Sequence, residues 1–279
     1  MILIADSGST KTTWMEVKSG NKIVTEGLNP HFTSDDAFLA ACSLVRQHFQ
    51  HSTFNFQLYF YGAGCGSDQQ RERVAELLSK SFGTNDIHVE TDMLGACRAV
   101  CGREAGLVGI LGTGSNACYY DGRRIMIQPP SLGYILGDYA SGNHVGRRLL
   151  TDYWCDKMPI EVRHLFEAEH TDDIGRTLDA VYHQPHPNRY LAHIGSIAPR
   201  HMEKVYFCRI IDESLDQWME MRLGALVRQS GSNKISLVGG FAKAIESRLQ
   251  LFCGRHHLEL GTVTDDPIEG LQRYHLNLG

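Results

Sequence analysis

Two short glycine-rich turns of nearly the same build, each following a strand-like run, constrain this chain more than any other feature. Asp6-Ser7-Gly8-Ser9-Thr10-Lys11-Thr12 comes after the apolar Ile2 to Ala5, and Gly112-Thr113-Gly114-Ser115-Asn116 comes after Leu107 to Leu111. Small residues let backbone N–H groups approach phosphate oxygens closely, and Ser and Thr hydroxyls add donors, so each turn has the makings of an anion-binding nest. Recurrence where a repeated half-molecule would put the second copy points to an internal duplication, which constrains both turns at once. The pair predicts one ATP gripped between two related domains.

Two familiar phosphate motifs compete for these residues and both fail. A P-loop needs glycines immediately before the lysine and five residues further back, where this chain has Thr10 and Ala5. Gly112 to Ala117 mimics a dinucleotide fingerprint, but that fingerprint must open a helix. Here Ala117 to Tyr120 runs into Asp121-Gly122, a strong hairpin turn, and then into the strand-like Arg124 to Gln128. The first turn behaves likewise: Thr13 to Val17 is strand-like, Ser19-Gly20-Asn21 is a turn, and Lys22 to Thr25 resumes β character. Both glycine runs are therefore expected in β-hairpins.

The remaining elements follow from period and punctuation. Helices are expected over Asp35 to Phe49, Asp68 to Phe82 and Asp92 to Cys101, with strands at Leu58 to Tyr61 and Ile87 to Glu90. The second half repeats three strands, then a helix from Ser141 to about Asp156. An α-rich insertion is expected to about Asn233, followed by a strand at Ile235 to Val238, Gly239-Gly240, a helix to Cys253, a strand at Leu258 to Val263 and a last helix from Pro267. This order, twice over, gives two α/β domains facing a cleft. The expected division is residues 1–105, joined by the final helix 267–279, and residues 106–266 with the insertion at about 156–233.

Composition narrows the partners. A chain of 279 residues, 42% hydrophobic, is long enough for two cored domains. A net charge of −5 with no basic run argues against nucleic acid, and a polyanion such as ATP would need a cation and local dipoles. No apolar stretch suits a membrane span, and the start lacks a charged n-region and cleavage site, so no signal peptide is read. Eight cysteines (Cys42, Cys65, Cys97, Cys101, Cys118, Cys155, Cys208 and Cys253) are scattered without CxxC pairs, as suits reduced thiols in a cytoplasmic protein. Cys97 and Cys101 lie one helical turn apart, compatible with a metal pair but better with core packing.

Six segments in order now carry a resemblance: ILIADSGSTKTTW, TDMLGACRA, ILGTGSNACYYDG, SLGYILGDYASG, LVGGFA and PIEGLQRYH. Over nearly its whole length the chain resembles the sugar-kinase, Hsp70 and actin superfamily, and within it the BadF/BadG/BcrA/BcrD-type ATPases and N-acetylglucosamine kinases. The resemblance implies two ribonuclease H-like (actin-like ATPase) domains with an interdomain cleft, with ATP and Mg²⁺ as cofactors.

It also implies roles by position. Asp6 would help hold the Mg²⁺ hydration shell, as suits a carboxylate at a strand end beside phosphates, although an aspartate there also caps turns. Gly8, Ser9, Thr10 and Lys11 would form the first phosphate grip, and Gly112, Thr113 and Gly114 the second. Lys11 is equally readable as a solvated hairpin lysine, and Gly112 to Gly114 as a plain hairpin bulge. Gly239, Gly240 and Ala242 match the adenosine motif, or else a tight strand-to-helix turn. Asp92 would be the general base that takes the acceptor hydroxyl's proton; its position between a strand end and a helix start also suits an ordinary N-cap. Asn29, Ser115, Asn116, Gly133 and Asp138 would bind the sugar, with capping of the helix at Ser141 as the plain alternative for Asp138. Tyr274 and His275 read as packing residues, with the last helix returning to the N-terminal domain.

Two departures stand out. Many relatives read Gly-Asp-Glu-Gly-Ser where this chain has Gly137-Asp138-Tyr139-Ala140-Ser141, and a tryptophan common before Gly133-Tyr134 is here Leu132. The implied activity is phosphorylation of an amino-sugar hydroxyl, N-acetylglucosamine at O6, by a cytoplasmic enzyme, with a homodimer as the family-based expectation. Two other readings stand beside it. One is an ATPase working on a protein partner, whose relatives carry cluster-ligating cysteines that the scattered thiols here do not reproduce. The other is a degenerate sugar-binding protein, which Tyr139 and Leu132 keep open.

Overall fold

The computed structural model describes residues 1–8, 10–49 and 56–276. Ser9, an expected member of the first phosphate grip, lies outside the described residues. The chain opens with β1 (Ile2–Ser7), β2 (Lys11–Glu16), β3 (Lys22–Glu26), α1 (Asp35–Phe49), β4 (Gln57–Gly62), α2 (Asp68–Phe82), β5 (Ile87–Thr91) and α3 (Asp92–Cys101). It continues with β6 (Gly106–Leu111), β7 (Ser115–Tyr120), β8 (Ile125–Ile127), α4 (Gly133–Leu136) and α5 (Gly142–Trp154). A helical stretch follows: α6 (Ile160–Glu169), α7 (Ile174–Tyr182), α8 (Pro187–Gly195), α9 (Ile197–Arg200), α10 (Val205–Trp218), a π-helical turn (Met219–Leu223) and α11 (Gly224–Ser230). The last elements are β9 (Lys234–Val238), α12 (Gly240–Ala244), α13 (Glu246–Arg255), β10 (Glu259–Thr264) and α14 (Ile268–Leu276).

These elements form two compact units. The first holds Met1–Glu104, the short Gly122–Arg124 tip and the chain from Asp266 on; the second holds Ala105–Asp121 and Ile125–Asp265. The first unit's sheet has the order β3-β2-β1-β4-β5, and the second unit's sheet, written from its other edge, is β8-β7-β6-β9-β10. In each, a meander of three antiparallel strands is extended by two parallel ones. The same order and the same mix of directions in both halves is the duplication that the twin turns announced.

Side-chain alternation divides the first unit's core between the two faces of its sheet. Leu3, Ala5, Trp14 and Phe60 face α1 and α2, burying Phe38, Val45, Val74 and Leu78. Ile4, Met15 and Tyr61 point the other way and meet Ala99 of α3 with Ile268 and Leu271 of α14. Tyr274 and His275 close that second face: His275 is buried and its Nε2 lies 2.8 Å from the Tyr61 hydroxyl, while Arg98 stands over the Tyr274 ring. In the second unit a larger core gathers Leu107, Leu111, Ile235 and Leu237 of the sheet with Val145 and Leu149 of α5 and Ile210, Leu215 and Trp218 of α10. None of the eight cysteines, all of them among the described residues, is joined in a disulfide. Among the described residues no helix is long and apolar enough to cross a membrane.

Candidate active site

Each glycine turn joins the first two strands of its sheet, and buried polar groups brace both. In the first unit, β1 and β2 close at the Ser7–Thr12 pair, with Gly8 N–H donating to Lys11 O at 3.0 Å. Ser7 Oγ and Thr12 Oγ1 lie 2.9 Å apart, and each accepts from Leu28 N at 3.2 Å, so two buried hydroxyls tie the turn to the loop that carries Asn29. Gly8 is half-buried and Thr10 and Lys11 are exposed.

In the second unit, Leu111 pairs with Ser115 and Gly112 N–H donates to Gly114 O at 2.9 Å. The carbonyls of Gly112 and Thr113 are drawn to the start of α5, accepting from Gly142 N at 2.9 Å and Asn143 N at 3.1 Å. In a trans peptide the N–H points opposite to the C=O, so the N–H groups of Thr113 and Gly114 face away from that helix, side by side. Such a pair is an anion-binding arrangement, and the positive end of the α5 dipole stands behind it.

Asp138 is part of this brace. Held at φ 54°, it takes Ser115 N–H on Oδ1 at 3.2 Å and the Asn143 amide on Oδ2 at 2.8 Å, and that amide also donates to Thr113 O at 2.7 Å. A Cβ on Gly114 would stand 2.7 Å from Asp138 Oδ2. Capping of α5 falls to Ser141, whose Oγ accepts from His144 N. A carboxylate has about four lone-pair sites, so Asp138 keeps acceptor capacity for a ligand hydroxyl. Tyr139, one of the two departures noted in the sequence, packs edge-on against the His144 ring.

Gly239 brings a third turn to the same place. Its φ of 128° suits glycine alone, and a Cβ there would fall 2.4 Å from Leu111 O and 3.3 Å from Gly112 N. Gly240 beside it is exposed, whereas Ala242 is fully buried in the core. Gly133 opens α4 at φ 70°, between the exposed Leu132 and a hydrogen bond from Gly137 N to its carbonyl. Ser115 and Asn116 line a small cavity with Trp218 and Arg222.

The candidate metal-binding and catalytic aspartates, Asp6 and Asp92, lie in the first unit. β1, β4 and β5 run parallel, so their carboxyl ends share one edge, where α/β sheets place ligands. Asp6 is the penultimate residue of β1, and Asp92 begins α3 directly after β5. The cap of α3 is Thr91, whose Oγ1 accepts from Leu94 N at 3.2 Å; Asp92 Oδ1 instead accepts from Met93 N at 2.8 Å. Burial pushes the Asp6 carboxyl up to about 7, with the negative charges of Asp92 and Asp266 adding to the rise and Lys11 opposing it. Burial also raises Asp92, partly offset by the Met93 N–H. Asn29, by contrast, is buried under Gly64 of the loop after β4, its Oδ1 accepting from His31 N at 3.0 Å.

The carboxylates bear on the expected magnesium ion. Among the described residues no three His, Cys, Asp or Glu side chains group tightly enough to cage a metal. Mg²⁺ seldom needs such a cage, because it keeps several waters and binds through one or two carboxylates plus substrate phosphates. Asp6, crowded by two like charges and offset only by Lys11, fits that mode.

The sequence missed Asn143, the Ser7–Thr12 pair and Asp266. A polar residue in the first turn of the helix after the second glycine turn was the available signal for Asn143; the other two depend on long-range pairing.

Neither a scan against protein-family models nor a search of curated proteins returned a match. Solved structures did. A protein from Porphyromonas gingivalis, provisionally described as an N-acetylglucosamine kinase, is 33% identical, covers 99% of each chain and superposes with a TM-score of 0.91. A Chromobacterium violaceum protein with the same provisional description is 16% identical over 98% of each chain, with a TM-score of 0.68. A ROK family glucokinase from Streptomyces griseus, in complex with glucose and AMPPNP, is 13% identical over 100% of this chain and 99% of its own, at 0.64. The latter two share the fold. The first adds sequence identity along the whole length, and by it the chain belongs to the same family of sugar kinases as the P. gingivalis protein.

Proposed function

We propose that this protein transfers the γ-phosphate of ATP to a hydroxyl of an amino sugar, N-acetylglucosamine at O6, with residues 1–105 plus the final helix and residues 106–266 acting as the two ATPase domains. The observation that carries the reading is the twinned turn: two glycine hairpins, each joining the same pair of strands in sheets of the same order. The provisional description of the P. gingivalis relative supports the acceptor class.

Phosphoryl transfer asks a protein chiefly to position the reactants and neutralise charge. In this reading Gly8, Ser9, Thr10 and Lys11 hold one part of the triphosphate, while Thr113 and Gly114 N–H groups, backed by Gly112 and α5, hold the transferable end. Gly239 and Gly240 let ribose and base lie against backbone. Ala242, packed in the core, supports that turn from behind rather than touching the nucleotide. Asp6 would hold the water shell of a bound Mg²⁺, which would supply neutralising positive charge to the triphosphate.

Asn29, Ser115, Asn116, Gly133 and Asp138 orient the sugar. Asp92 takes the acceptor's proton on Oδ2, since Oδ1 is engaged by Met93 N. Burial that raises its pKa makes it a stronger base than an exposed carboxylate. Exclusion of water from the bound reactants would keep ATP from being hydrolysed without transfer. A BadF/BadG-type relationship, a homodimer and a cytoplasmic location belong to the same reading.

The test is ATP consumption with a panel of hexoses, hexosamines and N-acetylhexosamines. N-acetylglucosamine should stimulate ADP formation most. If no sugar stimulates it, the kinase assignment fails.

A further inference from the structure

The loop between β3 and α1 is held far more tightly than a surface loop needs to be. Asn29 O accepts from Phe32 N at 3.0 Å and Thr33 N at 2.9 Å, and Thr33 Oγ1 donates to Gly27 O at 3.2 Å. Arg73 of α2 then clamps the loop from outside: its guanidinium donates to the carbonyls of Pro30 and Thr33 and also binds the Asp35 carboxylate. One planar fork thus spans both flanks of the loop, a geometry lysine does not reproduce.

From the other side, Gly64 presses on Asn29 at φ 87°, and a Cβ there would fall 2.3 Å from Asn29 Oδ1. Gly64 lies two residues beyond Gly62, which pairs with Thr91 next to Asp92 at the carboxyl ends of β4 and β5, so the clamped loop abuts the acidic edge of the sheet. What this rigid mount presents outward is Phe32, 67% exposed. Loops normally keep their freedom, and fixing one costs conformational entropy, which a binding surface recovers by being ready-made.

We propose that Arg73 is a positioning residue for acceptor binding: it fixes Pro30 to Thr33 so that Phe32 meets the apolar C–H or acetamido-methyl surface of the sugar while the Asn29 amide meets a hydroxyl. The inference rests on the kinase reading above and assigns the sugar's apolar contact to this loop. An aromatic ring with a polar amide beside it suits a ligand that is apolar on one face and hydroxylated at its rim.

The experiment compares the intact protein with Phe32→Ala, Phe32→Trp and Arg73→Lys in steady-state assays with N-acetylglucosamine, alongside calorimetric sugar binding and thermal melting. Phe32→Ala and Arg73→Lys should each raise the sugar KM and Kd about tenfold, in the range of an interface hot spot, with KM for ATP unchanged. Phe32→Trp should restore binding, and the exposed Phe32 variants should melt with the wild type. A sugar KM unchanged in both Phe32→Ala and Arg73→Lys overturns this inference and leaves the kinase reading standing, and so does an equal rise in the sugar and ATP constants. Absence of sugar turnover in the wild type overturns both.

Discussion

Replacing Asp6 by asparagine should stabilise the ligand-free protein at neutral and alkaline pH while removing its activity. Folding lifts this carboxyl from the ordinary 3.8 to about 7, by burial first and by the charges of Asp92 and Asp266 next. At pH 8 the group is ionised in both states, so the folded state bears the whole cost of an ill-solvated charge. A rise of about three pH units corresponds to about 4 kcal/mol. The sign follows from proton binding: between pH 4 and 7 the folded state holds the proton and the unfolded state does not. Stability from this group is therefore complete below about 4 and is lost as pH rises through about 7.

The amide introduced by Asp6→Asn carries no charge and should abolish that slope. In melts from pH 5 to 8, the wild type should lose several degrees relative to Asp6→Asn, approaching about 10 °C at pH 8 for an effect of this size. Magnesium with an ATP analogue should narrow the gap by stabilising the wild type more at pH 8 than at pH 5, where ligand competes with the proton. A variant that melts with or below the wild type at pH 8 would refute the reasoning, because Asp6 would then already be compensated within the protein.

Asp92→Asn should lower turnover roughly 100- to 10,000-fold with sugar and nucleotide binding retained, as measured by single-turnover kinetics and calorimetry. Gly239→Ala, at a backbone conformation only glycine tolerates and against Leu111 O, should cost about 1–3 kcal/mol in urea unfolding and weaken nucleotide binding. The acid limb should come from His275 and His144, both held down to about 4, by burial first and by neighbouring Arg98 or Arg147 next. Their contribution is complete above the ordinary 6.5 and is lost as pH falls through about 4, so His275→Gln should flatten part of the acid-side loss in a pH series of urea melts.

Much of the first unit was legible because its signals are local. The helices at Asp35–Phe49, Asp68–Phe82 and Asp92–Cys101 have the bounds that period and caps predict; the second runs from the Ser67 cap to Gly83 in the left-handed region. Both glycine turns sit in hairpins as their flanking β character required. The strand expected over Arg124 to Gln128 is shorter, Ile125–Ile127, and the single helix expected after Gly240 breaks at Ile245 into α12 and α13. α4 lies between glycines without a periodic face, and the π-helical turn after Trp218 has no local signature at all.

The site was legible as residue types and not as geometry. That Asp138 braces the second turn through Asn143, or that Asp266 crowds Asp6 across the whole length of the chain, depends on contacts no sequence window contains.

The most direct measurement is a crystal structure of the protein with Mg²⁺, AMPPNP and N-acetylglucosamine. It should show one triphosphate contacting backbone N–H groups of both the Gly8–Lys11 and Gly112–Gly114 turns, with a sugar hydroxyl within hydrogen-bonding reach of Asp92. A nucleotide seated on one turn alone, with the other remote from any phosphate, would contradict it.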